Sequence, residues 1–353
     1  IKTMLPKLGA QRVAVMGQLA DVVTKMHEAG ARQTDQHIGN WVYDGSKVYL
    51  LDAGTVRFAA GPLSRAERVN DLATLSATLD LPSQDAFRSA QGNAPYAGEL
   101  PALTVKQQAR RLKKHYKKTR RNCTEYKRQD GPAHRGVSAN QADQSLVEAF
   151  FNSPESFVKQ GTRLKSGNTC TVQSFEYQGK AYVLKRYNLK PLPTRLRYSL
   201  KESRAMKSWS NAWCLLTAHI PTARPVAVYE ERRGILRGRC YLLMEKVEGV
   251  LLADYIEKIA DAKVLSETAG AVAQVWRGLA NIRAVHKDMK ATNWIINKRG
   301  RAVIFDLDSM VLAQSKHYFE HGRRKDFQRF MKNVSNSPEV EKEFRKQLLE
   351  AGQ

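Results

Sequence analysis

One acid/amide constellation occurs twice in this chain, about 250 residues apart, and that repeat restricts what the chain can fold into more than any other feature. Asp35 is followed five residues on by Asn40-Trp41, then by WVYDGSKVYLLD, which ends in Asp52. Asp288 is followed five residues on by Asn293-Trp294, then by WIINKRGRAVIFD, which ends in Asp306. Both intervening segments read as a β-hairpin, with apolar alternation on either side of a polar turn containing Gly45 or Gly300. A further landmark keeps step: Asp71 lies nineteen residues after Asp52, and Asp326 lies twenty after Asp306. Four features in one order and spacing, twice over, are hard to produce by chance.

Phosphoryl transfer needs such a set: an Asp to accept the hydroxyl proton, an Asn and a second Asp to hold magnesium, and a lysine on the α- and β-phosphates. An Asp five residues before an Asn, on a loop leading into a hairpin that ends in the metal Asp, supplies the first three. The second loop, His286 to Asn293, resembles the catalytic loop of kinases, and Lys290 falls where it can neutralise charge on the transferring group. Upstream, LKSGNTCTVQSFEYQGKAYVLKRYN reads as three short strands with turns at Gly167-Asn168 and Gly179, placing Lys185 on the third strand. A glycine turn followed by a strand lysine is the arrangement that covers and clamps nucleotide phosphates in kinases. With one glycine in the loop, backbone contacts to phosphate are fewer than in a three-glycine loop.

The lysine needs a carboxylate, and Glu202, seventeen residues on in a helical stretch, is the candidate; an alternative register puts Trp209 there and leaves Lys185 to find another partner. CYLLMEKVEGVLLADYI then reads as a strand, an irregular segment and a helix start, the pattern of a kinase hinge. Backbone groups near Glu245 and Val247 are expected to meet adenine, with Met244 lining the pocket.

The loop HKDMKATNW, the motif Asp306-Leu307-Asp308, the VLKRYN strand, the SRAMKSWSNAW helix and the stretch Arg323-Arg324-Lys325-Asp326 together resemble the bacterial lipopolysaccharide core sugar kinases. The resemblance covers about residues 160 to 335, and 10 to 80 as a diverged copy; it is to tandem members with two kinase-like units. It implies an α+β, protein-kinase-like bilobal fold that uses ATP and Mg2+ to phosphorylate heptose or Kdo of the inner core. It also implies a cytoplasmic protein, peripheral on the inner membrane, whose partners are the lipopolysaccharide core or lipid A acceptor, with other core-assembly enzymes as further candidates. On this reading Asp288 is the base, Asn293 and Asp306 hold magnesium with Asp308 assisting, Lys185 clamps phosphate and Lys290 stabilises charge. Asp35, Asn40 and Asp52 are the first copy's base and metal ligands. Asp71 and Asp326 are expected to tie down the catalytic loops, and His27 and His286 to pack or hydrogen-bond within the same region.

The first copy departs from the pattern. Gln33-Thr34 stand before its catalytic Asp, His37 replaces the lysine two residues after it, and Asp52-Ala53-Gly54 occupies the metal motif. The chain starts at Ile1 and runs directly into the helical pattern RVAVMGQLADVVTKMHEAG, with no small lobe before it. Either the sequence is a piece of a longer protein, which the non-methionine start favours, or the first unit is a large-lobe relic. The expected organisation is a kinase-like large lobe over 1–104, a basic helical linker over 105–150, and a complete kinase-like domain over 151–353, divided near 248.

The net charge of +24 is unevenly distributed. Residues 1–104 hold ten bases and ten acids, so the whole excess lies beyond them. Val105 to Arg128 carries eleven bases and one acid, with Val105, Ala109, Leu112, Tyr116, Thr119 and Cys123 forming a narrow apolar stripe on a basic helix. A second run, Lys185 to Lys207, carries eight bases and one acid. An anionic membrane surface and a phosphorylated acceptor account for both runs. Nucleic acid would be drawn by the same charge, but neither aromatic platforms nor a recognition helix accompanies it. The four cysteines have no metal or redox spacing, which suits a reducing compartment, and no run of eighteen apolar residues exists to span a membrane. Two other readings use the same residues: a protein or small-molecule kinase, and a non-catalytic scaffold at the membrane.

Overall fold

The computed structural model describes every residue except 6, 7, 93, 95, 96, 190–198, 200, 336, 352 and 353. Helix and strand are mixed, and the chain divides into two compact units, Ile1–Arg111 and Leu112–Gln353.

In the first unit, helix α1 (Arg12–Glu28) buries Val15, Met16, Leu19, Ala20, Val23 and His27, the i, i+4 spacing of one helical face. Strand β1 (Ala31–Gln33) pairs antiparallel with β4 (Val56–Phe58), and β2 (Trp41–Tyr43) with β3 (Val48–Leu50), so the first hairpin forms as its alternation predicts. Gly30, at φ +74°, lies where a Cβ would collide with the Gly61 carbonyl, so only glycine fits between α1 and β1. Helix α2 (Arg65–Ser76) starts at a reciprocal cap between Ser64 and Glu67, and α3 (Leu81–Ala90) at Asp80. Leu19, Trp41, Leu72 and Phe87 are fully buried in the shared core.

Helix α4 (Leu100–Lys118) crosses the division between the units. The expected linker over 105–150 is therefore corrected: within the second unit Leu112 is buried in a core, and the residues after α4 form sheet. Strands β5 (Tyr126–Arg128) and β6 (His134–Ala139) begin a seven-stranded antiparallel sheet, and helix α5 (Gln144–Asn152) covers it. Short strands flanked by basic residues carry too little alternation to register in the sequence, yet Val137 and Ala139 are buried and β6 pairs with five residues of a later strand. The predicted apolar stripe is also rotated: Leu112 and Thr119 are buried as expected, whereas Val105 and Ala109 are half-buried and Thr104 and Gln108 lie inward.

The sheet continues with β7 (Thr162–Ser166), β8 (Cys170–Tyr177), β9 (Lys180–Tyr187), β10 (Pro225–Arg233) and β11 (Leu236–Glu245), in the order β5-β6-β10-β11-β9-β8-β7. The pleat assigns its faces. Tyr182 and Leu184 of β9 join Phe150 and Phe157, the latter from helix α6 (Pro154–Gln160), while Tyr187 points to the opposite face with Trp209 of helix α7 (Arg204–Thr217). Lys185 therefore shares the α7 side. The other half of α7 enters a mainly helical core through Cys214 and Leu215, together with Trp276, Trp294, Phe330 and Phe344. Around it lie a small sheet of β12 (Gly249–Leu251), β13 (Trp294–Asn297) and β14 (Ala302–Ile304), and helices α8 (Leu252–Ile256), α9 (Ala262–Asn281), α10 (Lys316–Val334) and α11 (Pro338–Glu350). Asn211 of α7 donates to the carbonyls of Leu307 and Met310 at 2.8 and 3.0 Å, which holds the segment after β14 under the large sheet.

Candidate active site

After α9 the chain turns through Val285, which bridges to Val311, and enters the loop carrying Asp288. Asp326 of α10 accepts the backbone amides of His286 at 2.7 Å and Lys287 at 3.0 Å. Lys287 adopts φ +68°, a left-handed conformation that costs a non-glycine residue free energy and persists because the clamp fixes it. Two more residues of α10 reinforce the loop: Arg329 donates to the Lys287 carbonyl, and Asn333 accepts the Ala291 amide at 3.2 Å. His286, fully buried, donates through Nε2 to the Phe305 carbonyl at 3.1 Å. The expected loop-tying Asp326 and packing His286 are thus both seen in contact with the loop.

Within the loop, the Asn293 side-chain amide donates to the Asp288 carbonyl at 2.8 Å, and Lys290 Nζ lies 2.9 Å from Asp288 Oδ1. Burial alone would raise the Asp288 pKa, but the hydrogen bond and charge of Lys290 outweigh it and hold the carboxyl below its ordinary value. The Phe305 amide donates to the Asn293 carbonyl at 3.0 Å, tying the loop to the strand end that carries Asp306. Asp306 has φ +61°, and its Oδ1 is 2.5 Å from Lys185 Nζ. Burial pushes the Asp306 pKa up, and the Lys185 charge and hydrogen bond bring it below the usual carboxylate range. For Lys185, burial works to lower the pKa, yet Tyr187, Asp306 and Asp308 together raise it, so the ammonium is kept.

Sheet and helical core thus meet at the Lys185–Asp306 ion pair, whose partners lie 121 residues apart in sequence. Asp288, Lys290, Asn293, Asp306 and Lys185 are connected by the contacts above. The Asn293 amide nitrogen is committed to the Asp288 carbonyl, so its oxygen is the end available to a cation; with the Asp306 carboxylate this gives an all-oxygen pair. A hard divalent ion that completes its shell with phosphate and water suits such a pair.

Several expectations are corrected. Glu202 does not reach Lys185: it accepts from Tyr116 Oη at 2.9 Å and pairs with Arg120. The reason is local, because α7 starts only at Arg204, with Ser203 as its cap, leaving Glu202 outside the helix. Trp209, the alternative, is buried and donates to the Thr119 carbonyl at 2.8 Å. Asp308, expected to assist a metal, has both oxygens engaged: Oδ2 by Lys185 at 3.2 Å and Arg204 at 2.8 Å, Oδ1 by the Ser309 hydroxyl at 3.1 Å. In the hinge segment, the Glu245 amide is taken by the Arg224 carbonyl at 2.9 Å, which removes it as an adenine donor. Val247 has no backbone hydrogen bond among the described residues, and Met244 is half-buried. Gly167 and Asn168 form the turn between β7 and β8, where the Asn188 side chain donates to the Gly167 carbonyl at 2.9 Å. Of the second basic run, residues 190–198 and 200 lie outside the described residues.

The first unit contains the same local hydrogen bonds. The Asn40 side chain donates to the Asp35 carbonyl at 2.9 Å, the Leu51 amide donates to the Asn40 carbonyl at 2.7 Å, and Asp52 has φ +55°. His37 Nε2 lies 3.4 Å from Asp35 Oδ2, where the second unit has Lys290 against Asp288. Support differs. Asp71 accepts two side chains, His27 at 2.8 Å and Gln36 at 2.9 Å, and Gln36 in turn accepts from Trp41 Nε1 at 3.2 Å. Arg204 and Asn211, within the SRAMKSWSNAW helix, and Arg329 and Asn333 were given no individual role from the sequence; the last two stand out only as the i+3 and i+7 positions from Asp326 on one helix.

The model of the Lipopolysaccharide kinase (Kdo/WaaP) family matches residues 149–351, more than half of the chain. The chain belongs to this family. It is a kinase family, so phosphotransferase chemistry comes with membership, and the match contains every residue of the Lys185, Asp288, Asn293 and Asp306 constellation. The first unit and strands β5 and β6 fall outside it. No curated protein matches the chain. Among the described residues no helix is long and apolar enough to cross a membrane.

Proposed function

We propose that the second unit is a bilobal kinase that transfers the γ-phosphate of ATP to a sugar hydroxyl of the lipopolysaccharide inner core. The observation that carries this reading is the ion pair of Lys185 with Asp306 beside the loop of Asp288. Asp288, held ionised by Lys290, accepts the proton of the attacking hydroxyl; Lys185 holds the nucleotide phosphates, and Lys290 balances the charge on the transferring group. Asn293 and Asp306 would hold magnesium, which when bound neutralises the β- and γ-phosphate oxygens. Family membership supports lipopolysaccharide as the acceptor class.

An anionic acceptor is also favoured by a cleft of about 730 Å³ whose charged lining is Lys325, Arg329, Lys332, Arg345 and Glu341: Glu341 pairs with Arg345, the cations still outnumber it, and Arg329 also touches the catalytic loop. Exposed Lys113, Lys114 and Lys117 on α4 favour peripheral attachment to an anionic membrane surface. The first unit reads as a diverged second copy of the catalytic segment, a reading supported by the matching Asp35, Asn40 and Asp52 geometry.

The test is phosphate transfer from labelled ATP to core oligosaccharide from a strain lacking this gene. Asp288→Asn should lower turnover by about 10²- to 10⁴-fold with the fold retained. Undiminished transfer by that variant, or label found only on protein, refutes the reading.

A further inference from the structure

Lys185 faces two carboxylates, and only one of them is placed to leave it for a metal. The Asp306 side chain is 26% exposed, whereas that of Asp308 is 4% exposed. Helix α7, which packs on the lysine's side of the sheet, contains no Asp or Glu (RAMKSWSNAWCLLT), so it cannot supply the partner, and Glu202 is held by Arg120 and Tyr116. Asp308 Oδ2 instead takes both Lys185 and Arg204, and the Ser309 hydroxyl secures its other oxygen. The Tyr187 ring lies against the same two cations, 5.0 Å from Lys185 Nζ and 5.1 Å from the Arg204 guanidinium carbon. Arg204 is the first residue of α7, where the helix dipole disfavours a cation, so its placement there depends on Asp308.

We propose that Asp308 is the carboxylate that holds Lys185 toward the nucleotide phosphates, and that Arg204 is a positioning residue that fixes Asp308. The proposal rests on the nucleotide-site reading above. Asp306 can then turn to a metal without releasing the lysine, because Asp308 keeps it. Arg204 touches neither phosphate nor metal in this scheme; it acts through Asp308 alone.

The test uses the full-length chain, a fluorescent N-methylanthraniloyl-ATP and magnesium, comparing wild type with Arg204→Gln, Arg204→Lys and Asp308→Asn. Arg204→Gln should weaken nucleotide binding and raise the KM for ATP by about 10-fold, the scale of losing an outer-shell partner, with a smaller change in kcat. Arg204→Lys should restore most of the loss, and the magnesium concentration for half-saturation should stay at the wild-type value in every variant. Thermal melts identify any variant that is merely misfolded, and Arg204→Lys keeps the charge if Arg204→Gln is. Wild-type binding by Arg204→Gln, or a raised magnesium requirement in Asp308→Asn, overturns the proposal, the latter by making Asp308 a metal ligand. A wild-type chain that binds no nucleotide overturns the site reading itself, a distinct result.

Discussion

Asp326 accepts the backbone amide of His286 at 2.7 Å, so the conformation of the Asp288 loop is set by a residue 40 positions along the chain. The matching carboxylate of the first unit, Asp71, receives side-chain donors from His27 and Gln36 instead. One carboxylate thus does two jobs: in the second unit it fixes main chain that must be held in a left-handed turn, and in the first it organises polar side chains in a core.

Replacing Asp326 by Ala leaves two amides of the loop without acceptors. An unsatisfied buried donor costs about 1–3 kcal/mol, so the melting temperature should fall and turnover should fall with it as the loop relaxes. Asp326→Asn keeps one acceptor oxygen and should lie between Ala and wild type. Equal stability for Ala and wild type would show the clamp to be unimportant.

Gln36 gives the first unit a comparable test. Its amide joins Asp71 to Trp41 Nε1, whereas Met289 holds the equivalent position in the second unit and Trp294 Nε1 has no partner among the described residues. Gln36→Met should destabilise by about 1–3 kcal/mol, because it strands a buried indole N–H and removes one of the two donors to Asp71. Denaturant unfolding measures it, and the unfolding of the second unit should not shift.

What the sequence revealed and what it hid follow from distance along the chain. The Asp288, Asn293 and Asp306 geometry was legible because its hydrogen bonds close within a loop and a hairpin. The Lys185 partner was not, since the Arg204 to Asp308 contact spans 104 residues and nothing in the spacing points to it. Glu202 was misplaced by a helix start: a Ser203 cap one residue after it moves the carboxylate off the helical face. Strands β5 and β6 were read as linker because their neighbours are basic and their inward residues few. β6 is fixed instead by pairing with β10, nearly a hundred residues on, which no local pattern encodes, and β5 is fixed by pairing with β6.

Thiol chemistry checks the packing of α7 and β11. Burial pushes the Cys214 and Cys240 thiols up to about 12, while Cys123 is partly accessible. At pH 8 an alkylating reagent should label Cys123 in the native protein and reach Cys214 and Cys240 only after unfolding, as read by mass spectrometry, since the thiolate is the nucleophile. The linkage has a definite sign. Both folded-state values exceed the unfolded one, so the stabilising contribution is complete below the unfolded thiol pKa and is lost as pH rises through the folded value. Melting temperature should therefore decline on the alkaline side, and replacing both residues by Ser should flatten part of that decline.

The number of nucleotides bound decides how the two units differ. Among the described residues, none of the first unit's strands, ARQ, WVY, VYL and VRF, carries a lysine, whereas β9 of the second places Lys185 against Asp306. The Asp35 carboxylate is also twice as exposed as that of Asp288, 68% against 34%, and is met by an imidazole in place of an ammonium. A phosphate-bearing ligand in the first unit would therefore meet no strand lysine among the described residues, and His37 stands 3.4 Å from Asp35 where Lys290 stands 2.9 Å from Asp288. Calorimetric titration with ATP and magnesium at neutral pH should give one site per chain, and Lys185→Met should abolish it. Two sites of similar affinity, or a site that survives Lys185→Met, would show that the first unit binds nucleotide by a route that does not need a strand lysine.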